Sequence, residues 1–344
     1  MAMTLSRSRL FSCHYTNATC VALLCFFISA FHTSAHAQLV DFSLDNDVLF
    51  NADGTYTNGA NFGWLSDENS YSRCGQCAAN IIARPLQQFP GIRLDRGEQS
   101  VGLSLRQIMV TPEDISKATA QFNDVPYVGA LRGQAALFSR QENSVTGYNI
   151  TLGVIGPDSG AASTQRALHK LTGANLPEGW DTQLGQDPLI GIGFTHSRRY
   201  NTWHFNEGRQ AEWGTSLDAQ LENFYSYLRI GTFIRIGKNL PGNILPDYAG
   251  IGGNAALPGV LTTKNYGWSV FAGLAAEYAA YSYIDANADA YSFQQDPVVG
   301  TALLGVAAHT QDFHLGLTLR QSSETHNNAR KPLHFATISL IWAI

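Results

Sequence analysis

The sequence has 344 residues, a net charge of −5 and 44% hydrophobic residues. The slightly acidic balance argues against a nucleic-acid partner, because a surface that binds phosphates needs an excess of Lys and Arg. After residue 37, no apolar run approaches the roughly 20 residues that a membrane-spanning helix needs.

Residues 1–37 have the order of an export signal. Arg7 and Arg9 form a basic start, and residues 21–31 are apolar but too few to cross a bilayer as a helix. The Ala-His-Ala sequence that ends at Ala37 offers the small side chains that signal peptidase accepts, so we expect cleavage after Ala37. The alternative is a buried N-terminal helix. An exported chain without an anchor helix is a soluble protein or a membrane barrel.

Cys74 and Cys77 are the two cysteines beyond the signal. In an oxidising compartment, a C-x-x-C pair is most simply a small loop disulfide. A redox role would need a strand-to-helix context, and a zinc site would need a second pair of ligands. We therefore expect a structural role for this pair.

Long segments of the remaining chain alternate between apolar and polar side chains. Residues 313–319 place Phe or Leu at every odd position and His, Gly or Thr at every even one. Successive side chains in a strand point to opposite faces, so this pattern predicts β-strands. A soluble sandwich alternates too, but segments of about 10 to 14 residues favour tilted membrane strands. The apolar stripe from Ala336 to Ile344 is typical of a strand that closes a barrel, although such strands usually end in an aromatic residue.

The predicted fold class is all-β, a transmembrane antiparallel β-barrel of about twelve strands with a short helix in an extracellular loop. Residues 38–344 are expected to form one barrel domain. The strands are predicted near residues 38–50, 56–66, 98–110, 126–140, 144–157, 189–203, 209–222, 224–237, 266–282, 297–310, 312–323 and 333–344. An even strand number returns both ends of the barrel to the periplasm.

This parity also assigns the connections to the two sides of the membrane. Residues 51–55, 111–125 and 158–188 are predicted to lie outside the cell. Residues 67–97 and 238–265 are predicted at the periplasmic rim, where they are long for turns.

The alternation of apolar and polar residues gives way to a helical pattern in residues 158–188. Ser163 and Thr164 are candidate N-caps, residues 165–171 contain good helix formers, and Gly173 can end the helix. The sequence therefore predicts a short helix in an outside loop.

Gln165 and His169 are four residues apart, so they share one face of this helix. A histidine in a loop helix is, taken alone, more often an ordinary surface residue. A functional role therefore needs partners elsewhere in the chain.

The candidate partners lie at the front of the barrel. Asp45, Asn46, Asp47 and Thr57 carry oxygen donors, and a short loop joins the first two strands. Oxygen donors suit Ca²⁺ or Mg²⁺ rather than zinc. An ordinary hydrogen-bonded rim fits the spacing equally well. Because Asn46 and Asp47 are adjacent, both can serve one site only if the strand is bulged or ends there.

Several short motifs resemble, in collinear order, the lipid A 3′-O-deacylases of the outer membrane. They extend over most of the chain beyond the signal. They are Asp-Asn-Asp at 45–47, Tyr-Thr-Asn-Gly at 56–59, Thr-Pro-Glu-Asp-Ile at 111–115, Pro-Tyr-Val-Gly at 126–129, the run from Gln165 and His169 to Gly-Trp-Asp at 179–181, and a weaker Asn-Leu-Pro at 239–241.

The resemblance implies a hydrolase that removes the 3′-linked acyl or acyloxyacyl group from lipid A. It implies a twelve-stranded barrel with the active site between its wall and a helix from an outside loop. It also implies Ca²⁺ assistance similar to that of secreted phospholipases A2. Asn46, Asp47 and Thr57 match the metal-side motif, with Asn46 and Asp47 as metal ligands and Thr57 as a catalytic residue. Gln165 and His169 match the helix motif and are the other implied catalytic residues.

One position departs from the family pattern. The family has an acidic residue just after the histidine, whereas residues 172–176 carry no carboxylate. Glu178 is the possible acidic substitute, Asp181 is a second one, or the role is missing.

These residue types suit ester hydrolysis by water. A histidine can take a proton near neutral pH, and a bound cation can stabilise the oxyanion that develops on the carbonyl. Gln165 could orient the imidazole or the water. The chain has no G-x-S-x-G element that would indicate a serine nucleophile. The expected partners are lipid A or lipopolysaccharide and the lipid of the outer membrane, with a monomeric protein.

Three alternatives remain open at this point. The first is a non-catalytic barrel that serves as a channel or scaffold. The second is an outer-membrane phospholipase with a Ser/His/Asn site. The third is an inactive relative of the deacylases that kept the fold and lost the acidic residue.

Overall fold

The computed structural model describes residues 39–46, 58–66, 84–92, 98–240, 266–327 and 333–344. The predicted signal, the Cys74–Cys77 pair, Asp47 and Thr57 lie outside these residues, so the predictions about them stay predictions.

Twelve antiparallel strands form a closed barrel in which each strand pairs with its neighbours in the chain and the last pairs with the first. They are β1 Leu39–Asn46, β2 Asn58–Leu65, β3 Glu98–Val110, β4 Val128–Gln141, β5 Ser144–Ile155, β6 Asp187–His204, β7 Arg209–Glu222, β8 Tyr225–Lys238, β9 Gly267–Ser282, β10 Val298–His309, β11 Phe313–Ser322 and β12 His334–Ala343. The predicted twelve-stranded barrel is confirmed, with bounds within a few residues of those expected.

The barrel closes between β1 and β12 in a continuous register from Leu39 opposite Ala343 to Asn46 opposite Ala336. The apolar stripe at the end of the sequence is therefore the closing strand. Because the strands are antiparallel, the ends of β1, β3 and β5 lie at the same rim. We call this rim the helix end, because the connection from β5 to β6 there contains a helix.

Burial across the barrel wall is the reverse of that in a soluble protein. On β8, Ile230 and Ile234 are 58% and 46% exposed, whereas Arg229 and Arg235 are 7% and 8% exposed. A sheet in water buries its apolar face, but a barrel in lipid exposes it and keeps the polar face inside. Together with the closed topology, this pattern excludes the soluble sandwich.

Ion pairs fill the inside of the barrel. Arg132 on β4 and Glu222 on β7 are both fully buried and lie 2.8 Å apart. These strands are not neighbours, so the pair crosses the lumen. Arg106 pairs with Asp45 at 2.9 Å. Buried charges need such partners because an unpaired charge in the interior is costly.

Two α-helices lie in connections at the helix end, α1 Ala161–Thr172 and α2 Tyr283–Asn287. Helix α1 confirms the predicted loop helix and its end at Gly173, which has a left-handed φ of 74°. In the described part of the chain, no helix is both long and apolar enough to cross a bilayer.

The predicted N-caps of α1 are wrong, because the helix begins before them. Gly160 is the N-cap, with a φ of 71°, and its left-handed backbone turns the chain from the 3-10 turn Pro157–Ser159 into the helix. Ser163 lies in the first turn, where its hydroxyl donates to the carbonyl of Gly160 at 2.7 Å. A glycine can begin the helix at this sharp turn because it adopts positive φ without steric cost.

Candidate active site

Helix α1 docks on the outer face of the barrel wall. Neighbouring residues of β3 face opposite ways, and Arg106 faces the lumen in its pair with Asp45. Gln107 therefore faces outward, where its amide donates to the carbonyl of Ser159, just before α1, at 2.6 Å. Met109, also outward, packs with Ala161 at the start of the helix. The helix covers the outside of the barrel rather than its opening.

Two glycines let the loop approach the wall closely. A Cβ on Gly129 of β4 would lie 2.6 Å from the Cβ of Ala161. A Cβ on Gly179 would lie 2.4 Å from the ring of Tyr127. Any larger residue at these positions would push the loop away from the barrel.

Three of the motif segments meet beneath the helix. The ring of Tyr127 packs at 5.0 Å from that of Trp180, and its hydroxyl donates to the carbonyl of Ile115 at 3.2 Å. The backbone N–H of Glu178 donates to the same carbonyl at 2.9 Å. Burial raises the pKa of Tyr127 to about 12, so this phenol stays neutral near pH 7. The motifs that are separated in sequence form one platform under α1.

The face of α1 that carries Gln165 and His169 is turned partly toward this platform. Gln165 is fully buried, and its Oε1 accepts a hydrogen bond from the indole N–H of Trp180 at 2.7 Å. His169, one turn later, is half-buried. Its Nδ1 lies 2.5 Å from the carbonyl oxygen of Asn175. A carbonyl oxygen only accepts, so Nδ1 carries the proton and Nε2 has the free lone pair.

Sequence reasoning missed both of these partners. The partner of His169 is a backbone carbonyl, which no side-chain pattern reveals. The only available signal was Gly173, whose left-handed turn brings the chain back over the last turn of the helix. Trp180 was noted as part of a motif, but its contact with Gln165 joins two loop segments and has no periodic signal.

Among the described residues, Glu178 forms no hydrogen bond or ion pair with His169. It is exposed, and among the described residues the His169 ring makes its one hydrogen bond with Asn175. Asp181 is exposed as well. The backbone carbonyl of Asn175 occupies the position where an acidic partner of Nδ1 would act.

Asp45, one of the predicted oxygen donors at the front of the barrel, lies inside the barrel. Asp45 is buried in the lumen, where Arg106 and the hydroxyl of Thr337 donate to it at 2.9 and 2.7 Å. Asp45 is therefore on the opposite side of the wall from α1, and its carboxylate has its partners inside the barrel. The grouping of Asn46, Asp47 and Thr57 stays a prediction.

The backbone register brings Asn46 toward the helix. Asn46 pairs with Asn58, Asn58 with Met109, and Met109 with Gly129. Directly paired residues lie side by side across a sheet, so these four positions form one row. Met109 and Gly129 are the positions on which α1 docks. Strand β1 is described as far as Asn46, so a shared site of Asn46 and Asp47 stays a prediction. The described ranges contain no cluster of three His, Cys, Asp or Glu residues suited to a metal.

Comparisons with known proteins agree with this architecture. The model of the family described as outer membrane protein LpxR matches residues 18–344. The structure of LpxR from Salmonella typhimurium is similar, with a TM-score of 0.71 and 15% identity, covering 88% of this chain and 99% of that one.

Other barrels are less similar. The β domain of the Bordetella autotransporter BrkA has a TM-score of 0.40 and 9% identity, covering 89% of this chain and 98% of its own. An outer membrane channel from Pseudomonas putida F1 has a TM-score of 0.41 and 10% identity, covering 91% and 97%. A search of curated proteins gave no match.

The family match extends over all twelve strands and helix α1. It accounts for the apolar outer face of the barrel, because an outer membrane protein exposes this face to lipid. The chain belongs to the LpxR family of outer membrane proteins.

Proposed function

We propose that this protein is an outer-membrane hydrolase that removes the 3′-linked acyl or acyloxyacyl group from lipid A, with His169 as the general base. The observation that carries the proposal is the position of His169 one turn after the buried Gln165, on a helix that docks outside the barrel wall. At this place the site adjoins the lipid in which the acyl chains of the substrate lie.

His169 is oriented for this task. Its Nδ1–H donates to Asn175, so its Nε2 can take a proton from a water that attacks the acyl carbonyl carbon. When the tetrahedral intermediate collapses, the sugar 3′-oxygen leaves and receives this proton from Nε2. A backbone carbonyl here fixes the ring orientation, a role that a carboxylate serves in other hydrolases.

The site opens toward an apolar surrounding. Leu171, on the last turn of α1, is 83% exposed, and Leu176 in the following turn is exposed as well. Together with the exposed apolar side chains of the strands, these residues suit contact with acyl chains.

Asn46 and Asp47, with Thr57 beside them, are the residues that would hold Ca²⁺. Their donors are oxygens, the ligand type that Ca²⁺ prefers, and the register places Asn46 in the row beneath α1. When bound, the ion supplies positive charge for the oxyanion of the tetrahedral intermediate.

The proposal requires the helix end to face the outside of the cell, where lipid A lies. Aromatic side chains are exposed near both rims of the barrel, as in outer-membrane barrels. Tyr278 and Tyr281 lie toward the helix end, and Tyr200, Trp203 and Trp268 toward the other.

We further propose that the protein is exported through the signal, with cleavage after Ala37, and that it is a monomer.

Mass spectrometry of lipid A tests this function. Cells that express the intact chain in Ca²⁺ are expected to lose the mass of the 3′-linked acyl group from lipid A, and cells with His169→Ala are expected to keep it. His204→Ala is the matched control, because His204 is exposed at the opposite end of β6. An unchanged lipid A mass with the intact protein would overturn the proposal.

The same samples address the alternatives. A phospholipase would release fatty acids from glycerophospholipids and leave lipid A intact. An inactive relative or a scaffold would give the same lipid A with and without His169. The buried pair of Arg132 and Glu222 across the lumen argues against a wide channel.

A further inference from the structure

We propose that Gln165 acts as a hydrogen-bond donor to the carbonyl oxygen of the ester that is cleaved and that Trp180 is the positioning residue that fixes its amide. This inference rests on the proposed hydrolase function. It assigns a direction to the Gln165 hydrogen bonds and a role to Trp180.

The direction follows from the chemistry of the two side chains. An indole N–H can only donate, so the atom of Gln165 that lies 2.7 Å from it must be the amide oxygen. An amide that is free to turn could present either its oxygen or its nitrogen to a ligand. The bond from Trp180 removes this choice and leaves the NH₂ group as the end available for a ligand.

The NH₂ group is an unused donor inside the protein. Gln165 is fully buried, and its Nε2 has no hydrogen-bond partner in the described residues. Buried polar groups are nearly always hydrogen-bonded, because an unpaired one loses its bonds to water without replacement. A buried donor beside a candidate base indicates an acceptor that arrives with the substrate.

Trp180 is itself held firmly against the barrel. It is 1% exposed and packs on Tyr127, which directly precedes β4. Its carbonyl accepts hydrogen bonds from the side chain of Gln183 at 3.1 Å and the backbone N–H of Gln183 at 3.2 Å. The indole is therefore fixed relative to the wall, and through it the Gln165 amide is fixed too.

A donor at this place fits the reaction better than an acceptor. An acceptor would orient the attacking water, whereas a donor stabilises the charge that develops on the carbonyl oxygen. His169, one turn away on the same face of α1, can serve the water. His169 would thus act on the attacking water, and Gln165 on the carbonyl oxygen of the ester.

Substitutions at both positions test this coupling. Trp180→Phe removes the N–H but keeps an aromatic ring against Tyr127, and we expect kcat to fall about 10-fold with little change in KM. Gln165→Met removes the donor at similar size, and we expect a loss of about 100-fold. Trp213→Phe is the matched control, since Trp213 lies on the outer face of β7 and packs on Tyr200.

The double variant separates positioning from general stability. If Trp180 acts through Gln165, then Trp180→Phe causes no further loss of kcat in a Gln165→Met protein. If Trp180 only supports the fold, its effect is the same in both backgrounds, and multiplied losses would overturn the inference.

A measurement independent of turnover checks the bond itself. In ¹⁵N-labelled protein, the indole N–H signal of Trp180 should move upfield in Gln165→Met, while that of Trp213 should stay in place. An unmoved Trp180 signal would contradict the inference. Full activity in Trp180→Phe together with an inactive His169→Ala would overturn this inference and leave the proposed function standing, whereas an inactive intact protein would overturn both.

Discussion

Gly129 offers the sharpest test that catalysis depends on how closely α1 docks against the wall. In Gly129→Ala, the new Cβ would meet the Cβ of Ala161 at 2.6 Å. Carbon atoms in contact lie about 3.5–4.0 Å apart, so the helix must move outward by about 1 Å. The nearby Ser159 hydroxyl, at 2.3 Å, can rotate away, but the Cβ of Ala161 is fixed to the helix backbone.

A shift of this size should affect the reaction far more than the fold. Misplacing a catalytic group by about 1 Å costs on the order of 100-fold in rate. The barrel is held by continuous hydrogen-bonded ladders between β3, β4 and β5, which the substitution leaves in place. We therefore expect Gly129→Ala to lower kcat for lipid A deacylation about 100-fold in a barrel that remains folded.

The assay is deacylation of lipid A in detergent micelles, with the folded fraction measured by gel mobility before and after heating. Gly300→Ala is the matched control, because a Cβ on Gly300 of β10 would meet no atom within 4 Å. Undiminished deacylation by folded Gly129→Ala would refute the argument that the docked position of α1 sets the reaction geometry.

Two further predictions concern the lumen and the metal. Arg132→Met leaves the fully buried Glu222 without its ion partner. We expect it to lower the free energy of unfolding by about 3 to 5 kcal/mol, measured by urea unfolding in vesicles. A double variant with Glu222→Gln should recover most of this loss, and no recovery would contradict the pairing argument. Asp47→Asn removes a proposed calcium ligand and should raise the Ca²⁺ concentration for half-maximal deacylation at least about 10-fold. The control Asp312→Asn, at an exposed turn, should leave this concentration unchanged. Equal calcium curves for both variants would contradict the assignment of Asp47.

The strands could be predicted because their physical cause is periodic and local. Alternating apolar and polar residues report a wall with lipid on one side and charges on the other. The stop of α1 at Gly173 was equally local, since a left-handed glycine ends a helix by its own backbone. The start of α1 could not be predicted in this way, because Gly160 can act as N-cap only when the 3-10 turn Pro157–Ser159 precedes it.

The site was only partly predictable, for a geometric reason. Alternation predicts that neighbouring residues of a strand face opposite sides of the wall, but not which side the loop helix covers. That choice depends on contacts distant in sequence, such as Gln107 with Ser159 and Met109 with Ala161. The contact of Gln165 with Trp180 joins two segments of the loop, and the partner of His169 is a backbone carbonyl in the turn after α1. The motifs therefore identified these residues but not their contacts.

The position of α1 outside the barrel suits a barrel whose lumen is filled with charged side chains. Its lumen holds ion pairs such as Arg132 with Glu222, whose buried charges leave no apolar path for an acyl chain. A lipid substrate lies on the other side of the barrel wall. In the proposed mechanism the base therefore lies outside, on a helix that packs against Tyr127 and Trp180. The proposed substrate would then reach His169 from the membrane without passing through the lumen, and variants of the lumen should change stability far more than kcat.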